Sequence, residues 1–103
     1  SVDVQVASAI KYYSYRIARE IGSLAVALGG IESLVFTGGI GENAHRVRAD
    51  IVEHLALFGA ILDEKANHNG GLKIGEFKGK QGIWVIKTQE ELHIARLAFQ
   101  IVL

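Results

Sequence analysis

The chain has 103 residues, half of them hydrophobic, and its eleven basic residues are balanced by eleven acidic ones. That length supports one compact core, and zero formal net charge with no local basic run excludes the electrostatic footprint of a nucleic-acid binder. Cysteine is absent, which removes disulfides, thiolate nucleophiles and cysteine-ligated zinc, and fits a cytoplasmic location.

No uninterrupted apolar stretch reaches the roughly 20 residues that span a bilayer, so neither a membrane partner nor a signal peptide is expected. Methionine is absent too, and Ser1 stands directly before helix-like sequence. We read the chain as a piece of a longer protein. Its apolar surplus then includes surface that would meet the remainder.

In chain order, Val6, Ile10, Tyr13, Ile17, Ile21, Leu24 and Leu28 recur every three or four residues, with Lys11, Arg16, Arg19 and Glu20 on other faces. This predicts an amphipathic helix over residues 2–28, about 40 Å long, with Gly29 and Gly30 forming its left-handed C-terminal cap. Residues 33–37 carry Leu34, Val35 and Phe36 without polar alternation, which suits a strand covered on both faces. A second helix is predicted from about Ala44 to Leu57, with Val47, Ile51, Leu55 and Phe58 on one side; Gly59 stops it. Arg46 and Arg48 read as solvated residues of that helix.

Ala60 to Leu62 reads as a short strand, residues 63–71 as a polar surface loop, and residues 72–82 as an edge strand plus turn. Ile83 to Ile86 is again an apolar run of buried-strand type. Thr88 opens a last helix predicted to reach Leu103, and Thr88-Gln89-Glu90-Glu91 has the form of a capping box, with Glu91 reaching back to the Thr88 amide. The expected architecture is α/β, helix-strand-helix-strand-helix with two parallel principal strands. Two such strands are too few to cover three helices, which again points to a larger parent.

The chemistry is concentrated in "TGGIGENA", residues 37–44. Gly38, Gly39 and Gly41 permit positive φ and let backbone lie directly against a ligand, because no Cβ intervenes. The helix that follows aims its unpaired N–H groups and the positive end of its dipole at the same spot. The phosphate-binding P-loop is excluded, since no Lys-Ser or Lys-Thr pair follows the last glycine. Two readings of the residues stay open. One is a strand-to-helix turn with glycines used for geometry alone. The other is a dinucleotide fingerprint in which Gly39 to Ala44 matches G-x-G-x-x-A and Asp63 holds a ribose, although Glu42 would set a carboxylate beside the pyrophosphate.

A third reading comes from resemblance. "ALGGIESLVFTGGIGENAHRVR", residues 27–48, resembles the signature of the acetate kinase family, whose members also include propionate and butyrate kinases. "KYYSYRIAREIGSLAVALGG" before it, "LALFGAILDEKANH" after it and "WVIKTQEELHIAR" near the end are similar to the C-terminal quarter of that family, in the same order. The resemblance implies a ribonuclease-H-like partial domain of the actin-like ATPase superfamily, with residues 1–103 as the C-terminal part of the second, nucleotide-binding lobe.

It also implies site residues and partners. Gly38, Gly39, Ile40, Gly41, Glu42 and Asn43 correspond to the turn that lines the adenosine side of the ATP/ADP site. "KTQEEL" is similar to the family's P-T-N-E-E-L, where a glutamate helps hold magnesium (Mg2+), and that role carries to Glu90 because Glu91 serves the capping box. Lys87 and Gln89 depart from the family pattern, and Ala44 stands where serine is common. The complete enzyme is implied to move the γ-phosphoryl group of ATP to a short-chain carboxylate, acetate or propionate, and to pair as a homodimer. The aspartate and arginines of its carboxylate pocket lie upstream, so no catalytic residue is assigned here and the isolated chain is expected to be inactive. His45, His54, His68 and His93 lack metal-ligand spacing and read as surface groups, and Tyr12, Tyr13 and Tyr15 as packing residues. A helical packing or dimerisation module without catalysis remains the rival from another class.

Overall fold

The computed structural model describes residues 2–38, 44–86 and 99–102, with residues 2, 3 and 99–102 described by their backbone. Helix α1 (Val2–Leu28) leads into strand β1 (Leu34–Thr37), then helix α2 (His45–His54), a 3-10 turn (Leu55–Phe58), β2 (Ala60–Leu62), the short helix α3 (Glu64–His68), β3 (Lys73–Phe77), β4 (Gly82–Val85) and β5 (Phe99–Val102). The strands form one mixed sheet in the order β2-β3-β4-β1-β5. β1 lies parallel to both β4 and β5, while β3 runs antiparallel to β2 and β4.

β1 is an interior strand between β4 and β5, and all four of its residues are buried. Its continuous apolar run needed cover on both faces, and it has it. Phe36 and Leu34 join Ile74, Phe77 and Ile83 of the neighbouring strands, Val47, Ile51, Val52 and Leu55 of the α2 region, and Ala18, Ile21 and Ala25 of α1 in one core. Each large aliphatic or aromatic side chain so buried contributes about 1.5–3 kcal/mol relative to an exposed one.

Helix α1 has the predicted length and cap: Gly29 and Gly30 adopt φ of 82° and 141°, and the Gly30 amide donates to the carbonyl of Ala25 at 2.8 Å. Its buried stripe is the predicted one only in part: Ile21 lies in the core and Ile10 and Ile17 pack against it. Ser14, Ala18, Ile21 and Ala25 face the core, whereas Val6, Tyr13, Leu24 and Leu28 are exposed. Small residues at 14, 18 and 25 let α1 lie close to α2, and the Ser14 hydroxyl satisfies itself on the Ile10 carbonyl at 2.9 Å. Size, as well as polarity, decided the packed seam. Tyr12, Tyr13 and Tyr15 correspondingly lie on the surface, with Arg16 over Tyr12 and Arg19 over Tyr15.

Three further expectations are corrected. The last helix does not continue to Leu103, because Phe99–Val102 is a strand that pairs with the open side of β1 and satisfies its ladder. Thr88 to Glu91 and the rest of 87–98 lie outside the described residues. β3 is not an edge strand: it sits between β2 and β4 with Ile74 and Phe77 buried, and β2 is the edge on that side. Residues 63–71 contain α3, whose start is capped by Asp63 through a 3.0 Å bond from the Ala66 amide to its Oδ1.

Candidate functional site

Two segments singled out in the sequence leave the sheet from the same edge. β1 and β4 are parallel and in register, Leu34 opposite Ile83 and Phe36 opposite Val85, and the Ile86 amide donates to the Phe36 carbonyl at 2.9 Å. The glycine turn departs from the carboxyl end of β1, and the KTQEEL segment departs from the carboxyl end of β4. In open α/β sheets this edge is where ligands bind. Gly39, Ile40, Gly41, Glu42 and Asn43 lie outside the described residues, as do Glu90 and His93.

The two ends of the turn are described. Gly38 follows β1 at φ 85°, a left-handed conformation that an L side chain adopts only with strain. At the other end Ala44 is the N-cap of α2 and supplies no side-chain hydrogen bond. A serine at this position would cap an amide of the first turn; alanine leaves those amides to other acceptors.

A buried polar cluster holds the start of α2. Arg48, expected in solvent, is 2% exposed, and Asn67 of α3 is 3% exposed. The Arg48 Nε donates to Asn67 Oδ1 at 2.8 Å, and its terminal Nη2 donates to the Asn67 carbonyl at 3.0 Å. Asn67 Nδ2 in turn donates to the His45 carbonyl at 2.8 Å. Burial pushes the Arg48 guanidinium below its ordinary pKa, but a guanidinium stays protonated, so its charge must be met by acceptors. Asn67 supplies two of them. The sequence carried a signal for this: Arg48, Val52 and Leu55 share a helix face at spacings of four and three, one position from the Val47-Ile51 stripe.

Asp63, the ribose-binding residue of the dinucleotide reading, is engaged in capping α3. It follows β2, which stands at the sheet edge with β3 and β4 between it and β1. In a dinucleotide fold that acidic residue follows the strand adjoining the glycine turn. The dinucleotide reading therefore fails on topology. His45 and His68 meet edge to face with ring centroids 4.6 Å apart, and His54 meets Tyr15 at 5.5 Å. Among the described residues no group of three or more side chains is placed to hold a metal ion. Among them, too, no helix is long and apolar enough to cross a membrane.

Comparison with known proteins decides the lineage. Residues 2–96 match the acetokinase family. The chain belongs to that family. Acetate kinase of Rhodopseudomonas palustris (strain TIE-1) is 48% identical over 98 residues, a match covering 93% of this chain and 25% of that protein. Acetate kinase of Dichelobacter nodosus (strain VCS1703A) is 47% identical over 97 residues, with 85% and 23% covered. Among solved structures, a propionate kinase from Francisella tularensis subsp. tularensis SCHU S4 superposes with a TM-score of 0.71 at 40% identity, over 87% of this chain and 23% of its own. Porphyromonas gingivalis acetate kinase superposes with a TM-score of 0.73 at 34% identity, again over 87% and 23%. The α/β fold is thus that of acetokinases, and the chain spans about a quarter of the length of the curated relatives it matches.

Proposed function

We propose that residues 1–103 form the C-terminal part of the nucleotide-binding lobe of an acetokinase, with the ribonuclease-H-like architecture of actin-like ATPases, and that the complete enzyme phosphorylates acetate or propionate. In the reaction a carboxylate oxygen forms a bond to the γ-phosphorus of ATP while the bond to the β–γ bridging oxygen breaks. The electron pair leaves with ADP, the product is an acyl phosphate, and the step is reversible.

In this reading Gly38 to Asn43 receive the adenosine end of ATP or ADP on bare backbone beside the uncapped start of α2, and Ile40 offers an apolar surface. Glu90 helps to hold Mg2+, which supplies compensation for charge on the phosphate oxygens. The groups that polarise the carboxylate belong to the rest of the enzyme, so these residues alone are inactive. The exposed apolar face of α1, with Val26 78% and Leu28 67% accessible, meets other parts of the enzyme or a second subunit of a homodimer. The enzyme works in the cytoplasm.

The observation that carries the reading is the 2.9 Å bond from Ile86 to Phe36, which sends the glycine turn and the KTQEEL segment from one sheet edge. The test is acyl phosphate formation by the full-length enzyme, trapped as the hydroxamate, with acetate and propionate in turn. Gly39→Val should raise the KM for ATP at least tenfold and leave that for the carboxylate within twofold. An enzyme whose ATP dependence is indifferent to Gly39→Val does not use this turn for nucleotide.

A further inference from the structure

We propose that Asn67 is a positioning residue for the nucleotide site, fixing the helix start on which the glycine turn ends. The inference rests on the reading of that turn as the nucleotide site. It follows from how completely Asn67 is used. Its Oδ1 and its carbonyl accept from Arg48, and its Nδ2 donates to the carbonyl of His45, the first residue of α2. His45 is next to Ala44, the N-cap that closes the turn. A side chain in α3 therefore grips the turn's far anchor without belonging to the turn.

The grip is anchored in the sheet. The Asp63 amide donates to the Ile74 carbonyl of β3 at 2.7 Å, the Asn67 amide donates to the Asp63 carbonyl at 2.9 Å, and the Asp63 carboxylate caps α3. A continuous set of hydrogen bonds thus runs from β3 through Asp63 and α3 to Asn67, and from Asn67 to the start of α2. With Asn67 and Arg48 both nearly inaccessible, water is a poor substitute for any bond in it. Small misplacement of a ligand-binding backbone has a large effect on affinity, because backbone amides cannot reorient independently as a side chain can.

Asn67→Asp separates this role from plain stability. The aspartate keeps both acceptors for Arg48 and strengthens one of them with charge, but it loses the donor and turns a carboxylate oxygen toward the His45 carbonyl. In the full-length enzyme it should raise the KM for ATP roughly fivefold to tenfold, with the KM for the carboxylate within twofold. Asn67→Ala should raise the ATP KM similarly and lower the thermal midpoint as well. Gly39→Val is measured beside them. If Gly39→Val raises the ATP KM and Asn67→Asp does not, the positioning role is wrong. If neither does, the nucleotide reading of the turn fails and the positioning role with it.

A measurement on the unmodified enzyme guards against variants that do not fold. ATP should slow hydrogen exchange at the amides of 45–48 and also at those of α3, which lie beyond the turn. Protection that stops at α2 overturns the proposal.

Discussion

The Ile86 amide and the Phe36 carbonyl meet at 2.9 Å where β4 and β1 end together. One strand then gives way to the glycine turn and the other to the segment containing Glu90. Two stretches separated by nearly fifty residues thus start from adjacent points, because parallel strands in register deliver their carboxyl ends to one edge. Had β4 paired antiparallel to β1, the same two motifs would have left from opposite edges and could not share a ligand.

Gly38 is where this geometry is most sensitive to substitution. At φ 85° it occupies a region that costs an L residue about 1–2 kcal/mol, and it is the last described residue before the turn. Gly38→Ala is expected to lose about 1 kcal/mol of stability in urea denaturation. Gly38→Asn should lose less, since asparagine tolerates the left-handed region. If the backbone here carries the nucleotide, the ATP KM should rise in the order asparagine, alanine, valine.

Much of this arrangement is legible in the sequence, for reasons that differ from element to element. The run Leu34-Val35-Phe36 has no polar alternation and can only be a strand covered twice; Gly29 and Gly59 mark helix ends because the chain there needs positive φ. What misleads is competition between signals that sequence alone cannot weigh. Leu24 and Leu28 carry the stronger hydrophobic pattern on α1, yet Ala18 and Ala25 are chosen for the core because close helix approach rewards small side chains. Phe99 to Val102 continues a helical period but is captured by the unpaired side of β1, a partner more than sixty residues away in sequence. Arg48 looks solvent-bound until the fold brings Asn67 beneath it.

The contrast on α1 gives a stability test. Ile21, 1% exposed, fills the core, and Ile21→Ala is expected to cost about 2–5 kcal/mol, read as a lower urea midpoint at unchanged slope. Leu28→Ala, at a site 67% exposed, should stay within about 0.5 kcal/mol in the 103-residue chain. In the full-length enzyme the same Leu28→Ala should cost several times more if the outward face of α1 is covered there. Equal small effects in both settings would show that this face is solvated in the enzyme.

Gly75 limits how far the interior strand β3 can be altered. A Cβ built on it would press against the carbonyl oxygen of Ile61 in β2 and lie 3.3 Å from Ile83 Cδ1 in β4. The strands lie close here, beside a register irregularity between Lys73 and Gly75. Because the obstacle on one side is backbone, it cannot rotate away. Gly75→Ala is expected to destabilise by about 1–3 kcal/mol, and Gly75→Val by more, in thermal or urea unfolding.

Arg48 shows how a buried charge should respond when one side of its pairing is changed. Arg48→Lys keeps the charge but replaces a planar fork by a single ammonium, which cannot reach Asn67 Oδ1 and the Asn67 carbonyl in the same directions. The loss is expected to be about 1.5–3 kcal/mol, the range for a hydrogen bond to a charged group. Arg48→Met removes the charge and its desolvation cost but leaves two buried acceptors on Asn67 without these donors, so it should destabilise at least as much as Arg48→Lys, which keeps a donor. Neither variant should be rescued by salt, because the site is shielded from mobile ions. A thermal midpoint for methionine no higher than that for lysine is therefore the expected result. Arg48→Lys indistinguishable from the unmodified protein would mean that the guanidinium's two bonds to Asn67 contribute nothing that a simple cation does not.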